Sequence, residues 1–488
     1  MNSAAVTPAA STPAAVIRVA LLGCGTVGTC LLELLATQSS RIASQWGVQL
    51  EVVTILVSDK TRSRPATVPQ SLLTDDAAEV IAHSIAHSDV VVEVMGGTDL
   101  ARQLVLSSLR SGKPLVTANK ELLARHGEEI LAAAAAGGVG LYFEAAVAGG
   151  IPLIRPLQVS LAGETIHTIM GIVNGTTNYI LTQMAEQGVS YESALAQAQE
   201  LGYAESDPTA DVEGHDAAAK AAILASIATG AVVHIDDVYC EGINFVTVTD
   251  LASAERLGYV VKLLAIIERD TARKDTAQKD TGQRDTSGEV MVRVHPALIP
   301  KEHPLASVRD AYNAVFVEGS TVGELMFYGP GAGGGPTASA VLGDLIDAAL
   351  EAQGKKLEHS ASESAGNTGT GNTATGDTAT GDTGTAEQNY PEVRIRPMDE
   401  LRTCYYLSVE VIDRPGVLAA VSGVFGKHDV SIRLMEQYEL DSTKDPDAHL
   451  VFLTHIALEK NMQAAIQELQ TLEVVRQVNT LIRVVGGE

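Results

Sequence analysis

Residues 16–38 read VIRVALLGCGTVGTCLLELLATQ, a β-branched run, a glycine-rich turn and a helical stretch. Gly23, Gly25 and Gly28 follow the predicted strand and open the predicted helix, which is the context that a dinucleotide fingerprint requires. We expect Gly23 to permit a tight turn, Gly25 to admit a pyrophosphate and Gly28 to allow close helix packing. The helix N-terminus would then offer N–H donors to the phosphates. A simple glycine turn is the alternative, and the flanking strand and helix favour nucleotide binding.

Short apolar runs continue to alternate with helical stretches after this turn. Further strands are predicted at 51–58, 89–95, 113–118 and 139–147, and helices at 99–111 and 120–136. Strands that alternate with helices indicate a parallel, doubly wound sheet. The predicted fold class is therefore α/β, with a Rossmann-type domain over 16–148. The glycine-rich segment 329–336, which includes Gly331, precedes another helix. It is either a second cofactor-approach loop that returns the chain to this domain, completing it over 330–352, or a flexible hinge.

The pattern changes after residue 148 and predicts two more domains. An α+β domain is expected over 149–329, with one helix capped by Thr176 or Thr177 and a long one over 211–229. Its polar repeat at 270–289 is predicted to be a solvated hairpin extension or a disordered insert. Residues 353–398 are a low-complexity linker and 1–15 a disordered tail. Residues 402–485 follow a β-α-β-β-α-β pattern, which is the ferredoxin-like order.

Composition limits the partners that the chain is expected to have. A formal net charge of −26 and a pI of about 4.8 argue against nucleic acid and against an anionic membrane. The four cysteines lack CxxC spacing, which argues against a disulfide framework and a zinc site. The first cation is Arg18, so the opening segment does not resemble a secretory signal. We expect a soluble protein of a reducing, cytoplasmic compartment.

The acidic segment LGYAESDPTADVEGHDAAAKAA, residues 201–222, says most about substrate chemistry. Asp216 and Lys220 are four residues apart and share a helix face. Glu205 and Asp211 precede them in a proline-containing loop that can fold back. Carboxylates suit the ammonium group of an amino acid, and a lysine whose pKa is lowered by its surroundings can act as a proton donor. An ordinary surface ion pair between Asp216 and Lys220 is the alternative.

Two further positions concern the cofactor. Lys120, in the TANK segment 117–120, follows a predicted strand, and ligands collect at the carboxyl ends of strands in open α/β sheets. A solvent-exposed lysine at the start of a helix is the alternative. The second strand ends near Ser58, and Lys60 and two arginines follow, which suits a 2′-phosphate and favours NADP. Asp59 leaves NAD possible.

Six segments occur over 16–350 in an order and spacing similar to those of the homoserine dehydrogenase family. They are GCGTVG, TANK, FEAAVAGGIP, NGTTNYIL, GYAESDPTADVEGHDAAAK and GPGAG. The resemblance implies an NAD(P)-dependent oxidoreductase that interconverts L-homoserine and L-aspartate 4-semialdehyde, on the route to threonine and methionine. It also implies a homo-oligomer, a dimer or tetramer, formed through the second domain.

The resemblance implies functional roles for the residues that match the family's segments. It implies that Lys220 is the catalytic proton donor, that Lys120 assists it, and that the substrate amino group and the lysine are oriented by Glu205, Asp211 and Asp216. Cofactor contacts are implied for Gly23, Thr26, Val27, Thr98 and Lys120. A structural sodium ion is implied in a loop of backbone carbonyls, with Glu144 alongside; the carbonyls are those of Val147, Gly149 and Ile151.

The C-terminal pattern resembles an ACT domain, because DRPGVL at 413–418 lies in its first strand-to-helix loop. The resemblance implies paired domains that bind a small effector, with threonine the natural expectation. The long linker leaves the coupling of this domain to the others open. A rival hypothesis is a non-catalytic sensor of nucleotide and amino acid, and a third is a dehydrogenase for another amino-acid aldehyde. The sensor would require a missing catalytic residue, and none of the matched positions is missing.

Overall fold

The computed structural model describes residues 14–270, 288–354, 393–439 and 447–486. The predictions for the N-terminal tail, the polar repeat and the low-complexity linker fall largely outside these residues. The same is true of residues 440–446. Within the described ranges, no helix is both long and apolar enough to cross a membrane.

The first sheet has six strands, all parallel, in the order β3-β2-β1-β4-β5-β6. They are Ala15–Leu22 (β1), Val48–Leu56 (β2), Leu73–Thr74 (β3), Val90–Glu93 (β4), Leu115–Thr117 (β5) and Leu141–Tyr142 (β6). The helices of this part are Thr26–Trp46 (α1), Ala77–Glu79 (α2), Ile85–His87 (α3), Asp99–Arg110 (α4) and Lys120–Gly137 (α5). This order is that of a doubly wound dinucleotide-binding sheet, so the predicted α/β class is confirmed.

The strand predicted over 139–147 is wrong beyond β6. A 3₁₀ turn, Glu144–Ala146, follows instead. The turn forms because the buried Glu144 carboxylate accepts the backbone N–H groups of Ile154 and Arg155, each at 2.8 Å, as well as that of Leu153. These contacts fold the chain back at a point where a strand would run straight.

The rest of the described chain forms a second, mostly antiparallel sheet with helices beside it. Its strands before the linker are Ile166–Ile172 (β7), Tyr239–Cys240 (β8), Tyr259–Asp270 (β9), Glu289–Pro300 (β10), Tyr312–Gly319 (β11) and Gly323–Pro330 (β12). The helices are Gly175–Gln187 (α6), Tyr191–Glu200 (α7), Thr209–Val212 (α8), His215–Thr229 (α9), Val248–Arg256 (α10) and Gly334–Ala352 (α11). The last of these packs on the first sheet, where Val341 and Leu345 share an apolar core with Leu31 and Leu35 of α1.

The long helix predicted over 211–229 is divided in two, and that prediction is wrong. The break between α8 and α9 lies at Gly214, whose φ of 87° is left-handed. Residues 242–243 hold the chain there, because the Ile243 N–H donates to the Val212 carbonyl at 2.8 Å. The predicted cap of α6 is also wrong. Asn174 caps it through the Thr177 N–H, and Gly188 follows its last residue in a left-handed conformation.

Apart from two strands of two residues each, the C-terminal residues have the predicted β-α-β-β-α-β order, which confirms the ferredoxin-like class. Their elements are Arg394–Ile395 (β13), Arg402–Ile412 (β14), Val417–Lys427 (α12), Ile432–Glu439 (β15), Asp447–Thr454 (β16), Ala457–Leu458 (β17), Glu459–Leu469 (α13) and Val475–Val484 (β18). Strand β18 pairs in parallel with β10, so one sheet runs on as β12-β11-β7-β9-β10-β18-β14-β16-β15. The C-terminal part is therefore joined to the second part through backbone pairing.

A buried carboxylate reinforces this joint. Asp250 of α10 is 1 % exposed and accepts the Tyr406 hydroxyl at 2.9 Å and the Thr480 hydroxyl at 2.8 Å, both from the C-terminal part. It also accepts the Thr247 hydroxyl and N–H at the start of its own helix. All of these donors would lose their partner together if the carboxylate were removed.

We therefore predict that Asp250→Ala lowers the free energy of unfolding by about 3 kcal/mol, because buried hydroxyls are left without acceptors. Urea denaturation followed by circular dichroism measures the change. Asp236→Ala, at an exposed aspartate, is the matched control and should stay within about 0.5 kcal/mol. Equal stability of the two variants would contradict the structural role given to Asp250.

Candidate active site

A cleft of 360 Å³ lies between the first sheet and α9. It is lined by Val27 of the glycine-rich turn, by residues of the segments 94–97, 118–121, 145–149 and 331–337, and by Lys220. Of the predicted site residues, Val27, Lys120, Gly149, Lys220 and Gly331 line this cleft. We call this space the inter-domain cleft.

The glycine-rich turn has the geometry that a bound phosphate needs. Gly23 has a φ of 105°, and a Cβ atom on Gly28 would lie 2.4 Å from the Gly23 carbonyl oxygen, so neither position has room for a side chain. A Cβ atom on Gly25 would meet nothing within 4 Å. Gly25 is also the N-cap of α1, and no side chain accepts the first N–H groups of that helix. The turn therefore leaves an open cradle at a helix N-terminus, which suits a pyrophosphate.

Of the remaining cofactor positions, only Thr26 adjoins this turn, and Thr98 and Lys60 lie elsewhere in the first part of the chain. Thr26 is the first residue of α1, and Thr98 precedes α4, where its carbonyl accepts the Arg102 N–H. Lys60 is not among the residues that line the inter-domain cleft, and its ammonium pairs with Asp75 at 2.9 Å. The Asp59 carboxylate accepts the N–H and hydroxyl of Thr61 at 2.7 and 2.6 Å. That contact turns Asp59 toward its own loop.

Lys120 is positioned by the end of β5 and the cap of α5. Asn119 caps the helix by accepting the Leu122 N–H at 3.1 Å, and its amide donates to the Gly97 carbonyl at 2.7 Å. Lys120 is the next residue, and its ammonium lies 3.2 Å from Asp216 Oδ1. The lysine thus reaches from the first sheet to α9 across the inter-domain cleft.

Sequence reasoning missed Glu93, which ends β4 and is fully buried. Its carboxylate accepts the Thr117 hydroxyl at 2.6 Å and the N–H groups of Met95 and Gly96. Burial raises the pKa of Glu93. These contacts fix the two loops that line the cleft beside Lys120. The sequence feature that could have identified Glu93 is a single acid at the end of a strand of valines.

Asp216 and Lys220 share a helix face as predicted, and the alternative of a surface ion pair is wrong. Lys220 is only 9 % exposed, and its ammonium donates to Asp216 Oδ2 at 2.6 Å and to the Val173 carbonyl at 2.7 Å. Asp216 therefore contacts both lysines, one through each carboxylate oxygen. It also lies in the first turn of α9, where the helix dipole favours negative charge.

Charge and burial act in opposite directions in this cluster. Burial alone would raise the pKa of Asp216, but Lys220 and Lys120 lower it to about 2. Burial alone would lower the pKa of Lys120, and the Asp216 carboxylate raises it above its ordinary value. Both groups are therefore held in their charged forms at neutral pH.

Asn174 is the second residue that sequence reasoning missed. Its amide nitrogen donates to Asp211 Oδ1 at 2.7 Å and to Asp216 Oδ2 at 2.9 Å, so it joins the two acids. Burial raises the pKa of Asp211. Glu205 is exposed, and its backbone carbonyl accepts a hydrogen bond from the Gln199 side-chain amide at 3.0 Å. The structure thus brings Asp211, Asp216 and the lysines together but leaves Glu205 at the surface.

The predicted metal loop is buried between the two parts of the chain. Ala148 and Gly149 both have left-handed φ values, 57° and 45°, and a Cβ atom on Gly149 would lie 2.4 Å from the Gly331 carbonyl. Among the described residues, no group of three or more His, Cys, Asp or Glu side chains could hold a metal ion. A cation here would therefore depend on backbone carbonyls.

Comparisons with known proteins show which family models and which relatives this chain resembles. Residues 23–144 match the family model for the NAD-binding domain of homoserine dehydrogenase, residues 152–346 the model for homoserine dehydrogenase, and residues 405–474 the model for the ACT domain. The homoserine dehydrogenase of Corynebacterium glutamicum is 44 % identical over 471 residues, which cover 96 % of each chain. That of Mycobacterium tuberculosis is 45 % identical over 472 residues, covering 96 % of this chain and 98 % of the relative.

A solved structure extends the similarity to three dimensions. The crystal structure of a homoserine dehydrogenase from Thiobacillus denitrificans superposes with a TM-score of 0.81 at 38 % identity. The match covers 96 % of this chain and 98 % of that one. The similarity therefore includes both sheets and the C-terminal part.

The glycine turn gives a prediction about dinucleotide binding. Gly25→Ala should leave the melting temperature unchanged, since its Cβ atom meets no protein atom, and should weaken NADPH binding about tenfold because the methyl group enters the open cradle. Gly28→Ala should lower both stability and binding, because its Cβ atom collides with the Gly23 carbonyl. Fluorescence titration and thermal denaturation measure the two effects. Unchanged binding by Gly25→Ala would contradict the cradle.

Proposed function

The chain belongs to the homoserine dehydrogenase family of NAD(P)-dependent oxidoreductases, and from its cleft we propose that it interconverts L-homoserine and L-aspartate 4-semialdehyde with Lys220 as proton donor. The observation that carries the proposal is the hydrogen bonding of the Lys220 ammonium. Of its three hydrogens, one is donated to Asp216 and one to the Val173 carbonyl. The third is available to a substrate oxygen in the inter-domain cleft, which Lys220 lines.

In the reductive direction, the carbonyl carbon of the aldehyde gains a hydride and its oxygen gains a proton. The nicotinamide cofactor, when bound, supplies the hydride. Lys220 donates the proton to the oxygen as negative charge develops there, and is left neutral. Asp216 holds the ammonium at its position, and solvent returns the proton afterwards. Oxidation of the alcohol runs through the same groups in reverse.

Lys120 and the acids would bind the rest of the substrate. Lys120 uses one ammonium hydrogen on Asp216, which leaves two for substrate oxygens beside the nicotinamide. Asp211 accepts Asn174 through one carboxylate oxygen, and we propose that the other receives the substrate amino group. Glu205 and Asp216 complete the proposed acidic set. Glu205 would need its loop to close over the cleft, because it is exposed.

The residues present fit a dinucleotide, since the open position at Gly25 stands at the start of α1. We propose that Gly23, Gly25, Thr26, Val27 and Gly28 hold the phosphates, and that Thr98, Lys120 and Gly331 line the nicotinamide end. NADP is the proposed preference, with NAD possible. The contact of Asp59 with Thr61 supports this choice, because it occupies the acid that would otherwise bind a ribose hydroxyl. Lys60 would have to exchange Asp75 for the 2′-phosphate.

We propose a sodium ion in the loop of Val147, Gly149 and Ile151. The left-handed turn at Ala148 and Gly149 supports it, because it changes the direction of successive carbonyls, and hard cations take carbonyl oxygens. The Glu144 carboxylate accepts three backbone N–H groups. Its proposed role is therefore to hold the loop in place, next to the ligands.

The C-terminal domain is proposed to bind an amino-acid effector, and threonine is the expected one. This proposal is supported by the ACT family match and would place the enzyme in threonine and methionine biosynthesis. A homo-oligomer, a dimer or tetramer, is proposed on the family resemblance.

The assay that tests this function follows reduced nicotinamide by absorbance, with L-homoserine and either NADP or NAD. We expect turnover with homoserine, and a higher kcat/KM with NADP. Lys220→Ala should lower kcat at least about 1,000-fold while the Kd of NADPH stays within about twofold, because the lysine transfers a proton and does not hold the phosphates.

Lys301→Ala is the matched control, since that lysine is exposed and pairs only loosely with Glu255, at 3.7 Å. It should keep wild-type turnover. Near-normal turnover by Lys220→Ala would rule out the proposed proton donor, and absence of homoserine oxidation by the wild type would rule out the proposed reaction.

A further inference from the structure

A short segment, Tyr239–Ile243, lies between the C-terminal domain and the loop that precedes α9. We call it the connecting segment. Its first two residues form β8, which pairs in parallel with β10, and the Glu241 N–H donates to the Val294 carbonyl at 2.8 Å. Its side chains point alternately to opposite faces of the sheet, as in any strand. One face contacts the residues that precede α9, and the other contacts the C-terminal domain.

On the first of these faces, the connecting segment holds residues 212–214. The Cys240 thiol donates to the Glu213 carbonyl at 3.3 Å, and the Ile243 N–H donates to the Val212 carbonyl at 2.8 Å. A Cβ atom on Gly242 would lie 2.2 Å from the same Val212 carbonyl, so the two backbones are in direct contact. Residues 212–214 immediately precede α9, which begins one residue before Asp216. Displacement of the connecting segment would therefore displace the start of this helix.

On the opposite face, the connecting segment contacts Arg483 of β18. The guanidinium donates to Glu241 Oε2 at 2.5 Å and to the Tyr239 hydroxyl at 3.2 Å. It also lies over the Tyr239 ring, 5.2 Å from the ring centroid. The Arg483 side chain is 3 % exposed and that of Glu241 is 27 % exposed, so the ion pair is buried on the arginine side and partly open to solvent on the glutamate side.

Arg483 is itself held rigidly by the C-terminal domain. Glu459, the first residue of α13, accepts it in a bidentate pair of 3.0 and 2.6 Å and is 2 % exposed. Burial alone would raise the pKa of Glu459, but its pair with Arg483 lowers it. Because its two bonds to Glu459 fix the planar guanidinium in the C-terminal domain, a movement of that domain would also move the guanidinium against Glu241.

We propose that Arg483 is a positioning residue for the active site, acting through Glu241 and the connecting segment on the start of α9. This inference rests on the proposed roles of Asp216 and Lys220. It assigns the C-terminal domain a part in the basal geometry of the site, whether or not an effector is bound. A shift of α13 or β18 relative to β10 would move Glu241, and with it the loop that places Asp216 between the lysines.

The test replaces Glu241, because the replacement leaves the buried pair of Arg483 and Glu459 intact. Glu241→Ala should lower kcat for homoserine oxidation about tenfold and leave the Kd of NADPH unchanged, since misplacement of a catalytic group by a fraction of an ångström has effects of this size. Glu241→Gln retains an acceptor for the guanidinium and should restore most of the lost kcat. Hydrogen exchange in residues 211–219 should become faster in Glu241→Ala and should recover in Glu241→Gln.

Tyr406→Phe is the matched control, because it removes a different contact between the same two parts of the chain, the hydrogen bond to Asp250. It should lower stability, because one hydrogen bond between the two parts is lost, and leave kcat and exchange in 211–219 unchanged. Wild-type kcat in Glu241→Ala would overturn the inference, as would an equal loss of kcat in Tyr406→Phe.

The outcome for Lys220→Ala separates this inference from the proposed function. If Lys220→Ala is inactive and Glu241→Ala has wild-type kcat, only the positioning role of Arg483 fails. If Lys220→Ala keeps its turnover, the proposed function of the site fails first.

Discussion

The Asp216 carboxylate is the contact on which the site depends, because it holds one ammonium group from each side of the inter-domain cleft. Lys120 comes from the end of the first sheet and Lys220 from α9, and each is paired with a different oxygen of the same acid. Without that carboxylate, the two like charges would repel each other across the inter-domain cleft. One buried acid thus fixes the separation of the two lysines and keeps Lys120 charged.

Several residues around the site position this acid and the lysines. Gly214 interrupts the helical stretch, so that Asp216 lies in a first turn and the chain before it turns back with Asp211. Asn174 bridges the two acids from the end of β7, and Glu93 holds the loops beside Lys120. Each of these residues acts by orienting a neighbour. Such supporting contacts are what keep catalytic groups within the narrow range of geometry that catalysis requires.

Sequence patterns predicted the features that depend on local spacing. The i,i+4 relation of Asp216 and Lys220, the glycine turn and each element of the β-α-β-β-α-β order are read from residues close in sequence, and the structure has them. Tertiary contacts decided the rest. Residues 242–243 impose the break at Gly214, Glu144 ends β6 by binding distant N–H groups, and β18 pairs with β10 across nearly 200 residues of sequence. Periodicity carries no information on such distant partners.

The central claim is that Asp216 acts on the proton-transfer step by placing Lys220, and a double-mutant cycle on kcat at saturating L-homoserine tests it most directly. Asp216→Asn and Lys220→Met are measured singly and together. If the acid works through the lysine, the double variant should be within about threefold of the slower single variant, because groups that act as one unit are strongly non-additive. Losses that multiply in the double variant would show that the two residues act independently and would contradict this account.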